Sequence, residues 1–138
     1  MKVILCLDET KGMMFNKRRQ SRDRIILERI VRHCEGKRLW MNTYSGKLFA
    51  DFQTIEISVD EEFLDKAAQG EFCFVESDSL KACENKIEEL IIFWWNKKYP
   101  ADFYLDLSFE QWEKTASEEF EGFSHDIITE EIYRRKND

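Results

Sequence analysis

The sequence predicts an α/β fold: a single three-layer domain in which a mixed central sheet lies between flanking helices. Two observations lead to this fold class. Short apolar runs typical of strands alternate along the chain with amphipathic stretches of helical period. The chain has 138 residues, of which 43% are hydrophobic and 14% aromatic, so it can form one domain with its own core. We expect no linker or internal repeat within residues 1–138.

The first strand and the first helix carry the strongest patterns. Residues 3–7 are continuously apolar, which suits a strand buried on both faces at the centre of the sheet. Residues 9–20 predict a polar loop, interrupted by Met13, Met14 and Phe15, which we expect to pack beneath it. Residues 21–35 have helical period, with Ser21 placed to cap the helix and Asp23 in its first turn. The apolar stripe of this helix consists of Ile26, Leu27, Ile30, Val31 and Cys34.

The remaining elements are shorter. A strand at residues 39–43 would complete a βαβ unit, whose two strands we expect to be parallel and adjacent. Helical segments are expected at residues 47–52, 60–69 and 77–85. Further strands are expected at residues 54–59, 71–76, 87–95, 103–107, 111–120 and 123–135. We expect 103–107 to pair with 87–95. The segment 123–135 also fits one helical face, although we favour a strand, and residues 136–138 should fray.

Positive charge is concentrated in one segment of an acidic chain. Residues 16–38 carry nine Lys or Arg and three Asp or Glu, whereas the whole chain has a net charge of −7. Such a segment favours an anionic ligand, an acidic partner or an acidic surface of its own chain. Arg18, Arg19 and Arg22 are candidates for binding phosphate or carboxylate through paired N–H donors. The alternative, which we favour on general grounds, is a solvated face paired with the acidic body.

Cysteine and histidine content argues against a metal enzyme. The four cysteines are widely spaced without a Cys-x-x-Cys pair, and there are two histidines, so a zinc site would need long-range assembly. The acidic turn after the first seven residues argues against a signal peptide, and no apolar run is long enough to span a membrane. We therefore expect a cytoplasmic protein with reduced thiols, no membrane partner and no metal.

Four stretches resemble a group of small bacterial proteins often labelled ribonuclease Z. They read GMMFNKRRQSRDR, GKRLWMNTYS, WNKKYPADFY and EFEGFSHDIITEEIY, and together they span most of the chain. The activity that this label implies is not expected here. True ribonuclease Z enzymes hold zinc through a His-x-His-x-Asp-His cluster, which this sequence lacks.

A more distant resemblance is to dihydrofolate reductase. The run VILCLD, the loop after it, a carboxylate on the helix and LWMNTYS follow the order of that family, and IEELIIFWWNKKYPADFY and WEKTASEEF resemble its later strands. The resemblance implies a dihydrofolate reductase-like fold. The reductases place a Gly-Gly pair at a helix start near the dinucleotide phosphates, and this sequence has no Gly-Gly. We therefore expect no nicotinamide cofactor.

The resemblance and the strand order name candidate ligand-binding residues. Asp23 would be the substrate-binding carboxylate and Leu27 would lie beside it, although a first-turn helix carboxylate needs no ligand. Trp40 and Tyr44 lie near the end of a strand expected to be central, and α/β sheets bind ligands at that edge. His125 lies between Ser124 and Asp126, but contiguous residues do not form a catalytic triad, so we interpret it as a capping or surface residue.

Two functional classes follow. The first is a small-molecule-binding domain for a nucleotide- or pterin-like ligand, which is anionic or heteroaromatic. The second is an interaction protein that holds RNA or an acidic protein through the basic segment 17–38. The low pI, about 5.0, argues against general nucleic-acid binding without excluding it. The sequence specifies neither a reaction nor an oligomeric state.

Overall fold

The structure is a computed structural model that describes residues 1–136, so the expected fraying of 137 and 138 lies outside the described residues. The strands are β1 (Lys2–Leu7), β2 (Gly12–Phe15), β3 (Arg18–Arg19), β4 (Arg38–Met41), β5 (Glu56–Val59), β6 (Phe72–Phe74), β7 (Glu89–Trp94), β8 (Phe103–Tyr104), β9 (Trp112–Phe120) and β10 (Ile128–Arg135). The helices are α1 (Arg24–His33), α2 (Thr43–Gly46) and α3 (Phe63–Lys66), with 3₁₀ turns at Lys47–Phe49, Lys81–Lys86 and Phe109–Gln111. No helix of the described chain is both long and apolar enough to cross a membrane.

Seven strands form a mixed sheet in the order β5-β4-β6-β1-β7-β10-β9. The first five are parallel, whereas β10 is antiparallel to both of its neighbours. The sheet confirms the predicted fold class and the central position of β1. The expectation that β1 and β4 are adjacent was wrong, because β6 lies between them. Phe72, Cys73 and Phe74 of β6 are all buried, and a strand that is apolar on both faces belongs inside a sheet.

An apolar layer covers each face of the sheet. Side chains of β1 alternate between the layers, with Val3 and Leu5 in one and Ile4 in the other. Helix α1 covers the second layer with Ile26 and Ile30, which are fully buried and contribute about 2 kcal/mol each to stability. Helix α3 and strand β2 contribute to the first layer.

The predicted polar loop at residues 9–20 is instead a β-hairpin. Strand β2 pairs with β3 on one side and with β8 on the other, which makes a separate three-stranded sheet. Asn16 and Lys17 both have positive φ, 55° and 63°, as the two-residue turn of a hairpin requires. Met13 and Met14 of β2 are buried, so the hairpin is fastened to the core. The sequence signal was weak because the turn contains no glycine.

Helix α1 begins three residues later than predicted and ends two residues earlier. Asp23, not Ser21, is its N-cap: the backbone of Asp23 is extended, and its Oδ1 accepts a hydrogen bond from the N–H of Ile25 at 2.9 Å. The hydroxyl of Ser21 is bonded elsewhere, to His125. The chain from β3 to Asp23 is therefore extended, and it lies beside the ends of the central strands.

Two further expectations differ from the structure. Residues 103–107 do not pair with β7, because β1 and β10 already occupy both sides of that strand, and β8 pairs with β2 instead. The helix expected at 60–69 is reduced to α3, since Ala67 is already extended at φ −64° and ψ 134°. The strands expected at 54–59, 71–76, 87–95 and 111–120 are confirmed with shorter bounds, and 123–135 is a strand from Ile128 onward.

Candidate functional site

A cleft opens at the carboxyl ends of β1, β6 and β7, where parallel α/β sheets bind their ligands. We call it the central cleft. The β2–β3 hairpin, the extended chain that follows it and α1 form its other walls. The cleft has about 390 Å³ of volume, part of which is open to solvent, and it is narrow.

A wider depression, which we call the outer groove, continues from the central cleft along α1. It shares Arg22, Asp23, Leu27 and Leu48 with the cleft and has about 1120 Å³ of volume open to solvent. Phe123, whose side chain is 72% exposed, lines it. An exposed aromatic ring beside arginines suits a ligand that is both anionic and aromatic.

Asp23 is buried and its carboxylate oxygens are fully engaged. Its Oδ1 accepts from the N–H of Ile25 and Phe123, and its Oδ2 accepts from the N–H of Ser124 at 2.9 Å and lies 2.8 Å from His125 Nδ1. Burial alone would raise the pKa of Asp23, but these hydrogen bonds outweigh burial and lower it to about 2. Asp23 is thus ionised at neutral pH and rigidly held.

Of the two roles expected for His125, capping or surface, the surface role was wrong, because His125 is a buried part of the site. Its side chain lies against Trp95, with the ring centroids 4.6 Å apart. One ring nitrogen faces Asp23, and the other, Nε2, lies 2.8 Å from the hydroxyl of Ser21. Because the ionised Asp23 can only accept, Nδ1 carries a proton, and in the neutral imidazole Nε2 then presents a lone pair to Ser21.

A buried ion pair forms another wall of the central cleft. Arg19 binds Glu76 through two parallel N–H donors at 2.7 and 2.9 Å, and the hydroxyl of Ser45 also donates to Glu76. Glu76 is 8% exposed. Burial by itself would lower the pKa of Arg19, but its bonds to Glu76 outweigh burial and raise that pKa further. The phenol ring of Tyr44 lies 4.4 Å from the guanidinium on the other side.

The candidate residues divide between two places. Asp23, Leu27, Arg19 and Arg22 line the central cleft together. The other three do not line it. Trp40 lies apart because its side chain packs on the opposite face of the sheet and donates to Glu71. Tyr44 contacts the cleft wall from outside, since its hydroxyl accepts from the N–H of Arg19 and its ring lies against the guanidinium. Arg18 is exposed next to the hairpin turn.

Sequence reasoning missed Ser21, Glu76, Trp95 and His125 as parts of one site. Each follows or precedes a recognisable element, but their convergence depends on which strands are neighbours. One local feature of the sequence could have indicated this site. The polar residue Glu76 comes directly after an apolar strand, at the sheet edge where ligands bind.

Comparison with known proteins identifies the fold. By sequence, the chain matches no protein-family model and no curated protein. By structure, it is similar to the dihydrofolate reductase from Enterococcus faecalis complexed with NADP(H) and RAB-propyl, with a TM-score of 0.70 over 99% of this chain and 96% of the other. The chain has a dihydrofolate reductase-like fold. At 16% identity the similarity concerns the fold alone, and no comparison supports the ribonuclease Z label.

The described residues do not match the cofactor sites of the two families that the sequence resembles. Where a dinucleotide would need glycines and a helix after β7, the chain has Trp95, which is 2% exposed, and then a turn at Asn96 with φ 59°. The residues present therefore do not fit NADP(H). Within residues 1–136, no three His, Cys, Asp or Glu side chains come together as a metal site.

Proposed function

We propose that this dihydrofolate reductase-like domain binds a small anionic heteroaromatic molecule, nucleotide- or pterin-like, in the central cleft without a nicotinamide dinucleotide. The ring would lie between Leu27 of α1 and the end of β6, and the anionic group would reach the outer groove. We further propose a cytoplasmic location, because all four cysteines are free thiols.

One buried oxygen carries this proposal. Gln20 lines the central cleft, and its Oε1 is buried without a hydrogen-bond donor among residues 1–136. The orientation of the amide is fixed, because its nitrogen donates to Asp8 Oδ2 at 3.1 Å and to the carbonyl of Pro100 at 3.2 Å. A buried acceptor without a donor costs about 1–3 kcal/mol, and a bound ring that moved the atoms covering Oε1 and supplied an N–H group would recover this cost.

The anionic group of the ligand would meet unpaired arginines. Arg22 and Arg24 line the outer groove, are exposed, and make no ion pair with a carboxylate of residues 1–136. Arg19 is already committed to Glu76, so it holds the cleft wall. The oxygens of Asp23 are also engaged, so Asp23 orders the site and does not accept hydrogen bonds from the ligand.

A thermal-shift screen tests this function. The panel contains dihydrofolate, folate, AMP and GMP, with NADPH as a separate arm. At a concentration of about 100 times Kd, a ligand adds about 2.7 kcal/mol of stability, which raises Tm by several degrees in a domain of this size. We expect at least one pterin or nucleotide to do so and NADPH to bind no better than AMP.

Two charge-reversal variants make the screen specific. Arg22→Glu, just before α1, places a negative charge in the outer groove and should abolish the shift. Arg32→Glu makes the same change of charge within α1 but outside the groove, so the shift should remain. A panel without any active compound, or an equal loss in both variants, would reject binding at this site.

One observation favours a second candidate function, the binding of an anionic macromolecule. Arg18, Arg22, Arg24 and Arg32 are all exposed and make no ion pair within residues 1–136, whereas Arg19, Arg29 and Arg38 pair with the acidic body. The exposed arginines could hold RNA or an acidic protein. Filter binding to RNA at low salt distinguishes this function, because reversing the charge of Arg18 and Arg32 would then weaken retention.

A further inference from the structure

Three side chains that are separate in the sequence form a Ser–His–Asp arrangement at the central cleft. Ser21 Oγ lies 2.8 Å from His125 Nε2, and His125 Nδ1 lies 2.8 Å from Asp23 Oδ2. The imidazole is thus held between a hydroxyl and a carboxylate through its two opposite nitrogens. This is the arrangement that nucleophilic catalysis by serine requires: a base between the nucleophile and an orienting carboxylate.

The carboxylate end of this arrangement is rigid. Three backbone N–H groups, from Ile25, Phe123 and Ser124, hold Asp23, and its side chain has no exposure to solvent. Asp23 is therefore ionised, and it fixes the tautomer in which Nε2 is free to take a proton. Trp95 covers the ring of His125 and limits its rotation.

The serine end of the arrangement faces the central cleft. Ser21 is half-buried, whereas His125 is buried, and Ser21 is one of the residues that line this cleft. Neither the backbone N–H of Ser21 nor that of Arg22 donates to a backbone acceptor among residues 1–136. Nucleophilic catalysis also needs donors for the oxyanion, and these two groups are the nearest in sequence to the hydroxyl.

We propose that Ser21 is a nucleophile activated by His125 and oriented through Asp23, and that the protein hydrolyses carboxylic esters of small anionic molecules. Ser21 Oγ attacks the carbonyl carbon while its proton passes to His125 Nε2. The bond to the alcohol oxygen then breaks, and the alcohol takes that proton. Water, deprotonated by His125, attacks the acyl-serine, the bond to Ser21 Oγ breaks, and His125 returns the proton to Oγ as the carboxylic acid leaves. Arg22 favours a substrate that carries a carboxylate or phosphate.

This activity rests on the proposed function only for the route by which the substrate reaches Ser21. A reagent that needs no knowledge of the ligand tests it: diisopropyl fluorophosphate, which loses fluoride when a serine nucleophile attacks phosphorus. Peptide mass spectrometry of the labelled wild-type protein identifies the residue directly. We expect label on Ser21, and no label when the protein is unfolded in urea.

Variants then distinguish a serine that is activated by His125 from one that is only exposed to the reagent. His125→Ala should slow labelling by at least about 100-fold in a protein whose circular dichroism is unchanged. Ser21→Ala should abolish labelling, and Ser117→Ala, which removes an exposed serine of β9, should not alter it. Three results would overturn the proposal: no label on the folded protein, label on Ser124, or an unchanged labelling rate in His125→Ala. The three residues would then serve only to hold the loop between β9 and β10 against the start of α1. Labelling succeeds or fails independently of the ligand screen.

Discussion

Asp23 is the residue on which the geometry of the site depends. It caps α1 and fastens the segment between β9 and β10 to the start of that helix through Phe123, Ser124 and His125. A carboxylate with this many donors is held in its ionised form, and its removal affects both the helix start and the loop.

Replacement of Asp23 by Asn should lower the free energy of unfolding at pH 7 by about 2 kcal/mol, since the pKa of Asp23 is lowered from 3.8 to about 2. A lowered pKa contributes stability that is present above pH 4 and is lost as the pH falls from 4 towards 2. Urea unfolding of wild-type protein at pH 7, 4 and 2.5 should show this loss, and Asp23→Asn should show less of it. Asp51→Asn, an exposed aspartate of the outer groove, is the control. Equal acid sensitivity in Asp23→Asn would contradict the assignment.

The ion pair between Arg19 and Glu76 allows a second test at this scale. Glu76→Gln removes the negative charge that pairs with Arg19, whose side chain is 20% exposed. This change should lower the free energy of unfolding by about 2 kcal/mol. Glu56→Gln removes a similar partner from Arg38, but the Glu56 side chain is 64% exposed, so the cost should be below about 0.5 kcal/mol. Chemical denaturation of both variants checks the difference. Similar costs would mean that burial does not strengthen the cleft wall.

Some residue roles were predictable and others were not. The sequence indicated that Asp23 belongs to the helix start and that Leu27 lies beside it. It did not indicate that Ser21 leaves the helix to contact His125, because the two residues are far apart in sequence and no local pattern joins them. Because Ser21 contacts His125, Asp23 is the residue that caps the N-terminus of α1.

Among the elements, the loop between β9 and β10 packs closely against the start of α1. A Cβ atom on Gly122 would lie 2.7 Å from Asp23 Oδ2, 2.8 Å from Ile128 Cδ1 and 3.0 Å from the carbonyl of His125. The loop can therefore approach the start of α1 only with glycine at this position. The same approach brings His125 to Ser21.

Gly122→Ala should destabilise the protein by about 1–3 kcal/mol, because the added methyl group must push the loop away from Asp23. It should also slow labelling of Ser21 by diisopropyl fluorophosphate, since His125 moves with the loop. Glu121→Ala, at an exposed position next to it, should change neither quantity. Thermal unfolding and the labelling rate are the measurements. Unchanged stability in Gly122→Ala would show that the loop does not depend on this contact.

At the element scale, long or strongly patterned segments were predictable, and short ones depended on context. The apolar run of β1 and the amphipathic stripe of α1 are properties of the local sequence. The hairpin at Gly12–Phe15 was not visible, because Asn16 and Lys17 form its turn without glycine. The partner of β8 could not be inferred either, since it depends on both sides of β7 being occupied.

For the whole molecule, the mixed sheet was predictable from the order of strands and helices. The neighbours within it were not, because β6 inserts between β4 and β1 from a distance of thirty residues or more. Trp40 is away from the central cleft because it packs on the opposite face of the sheet. The fold also divides the basic segment: some arginines brace α1 against the acidic strands, and others face solvent at the outer groove.

The most direct test of the central claim is a ¹H–¹⁵N NMR titration of the protein with the pterin or nucleotide that gives the largest thermal shift. We predict that the signals of the Trp95 indole and of the Ser21 and Leu27 amides move with a common saturation curve. The indole of Trp40, which is bonded to Glu71 on the other face of the sheet, should stay in place. Movement of the Trp40 signal with a stationary Trp95 signal would contradict binding in the central cleft.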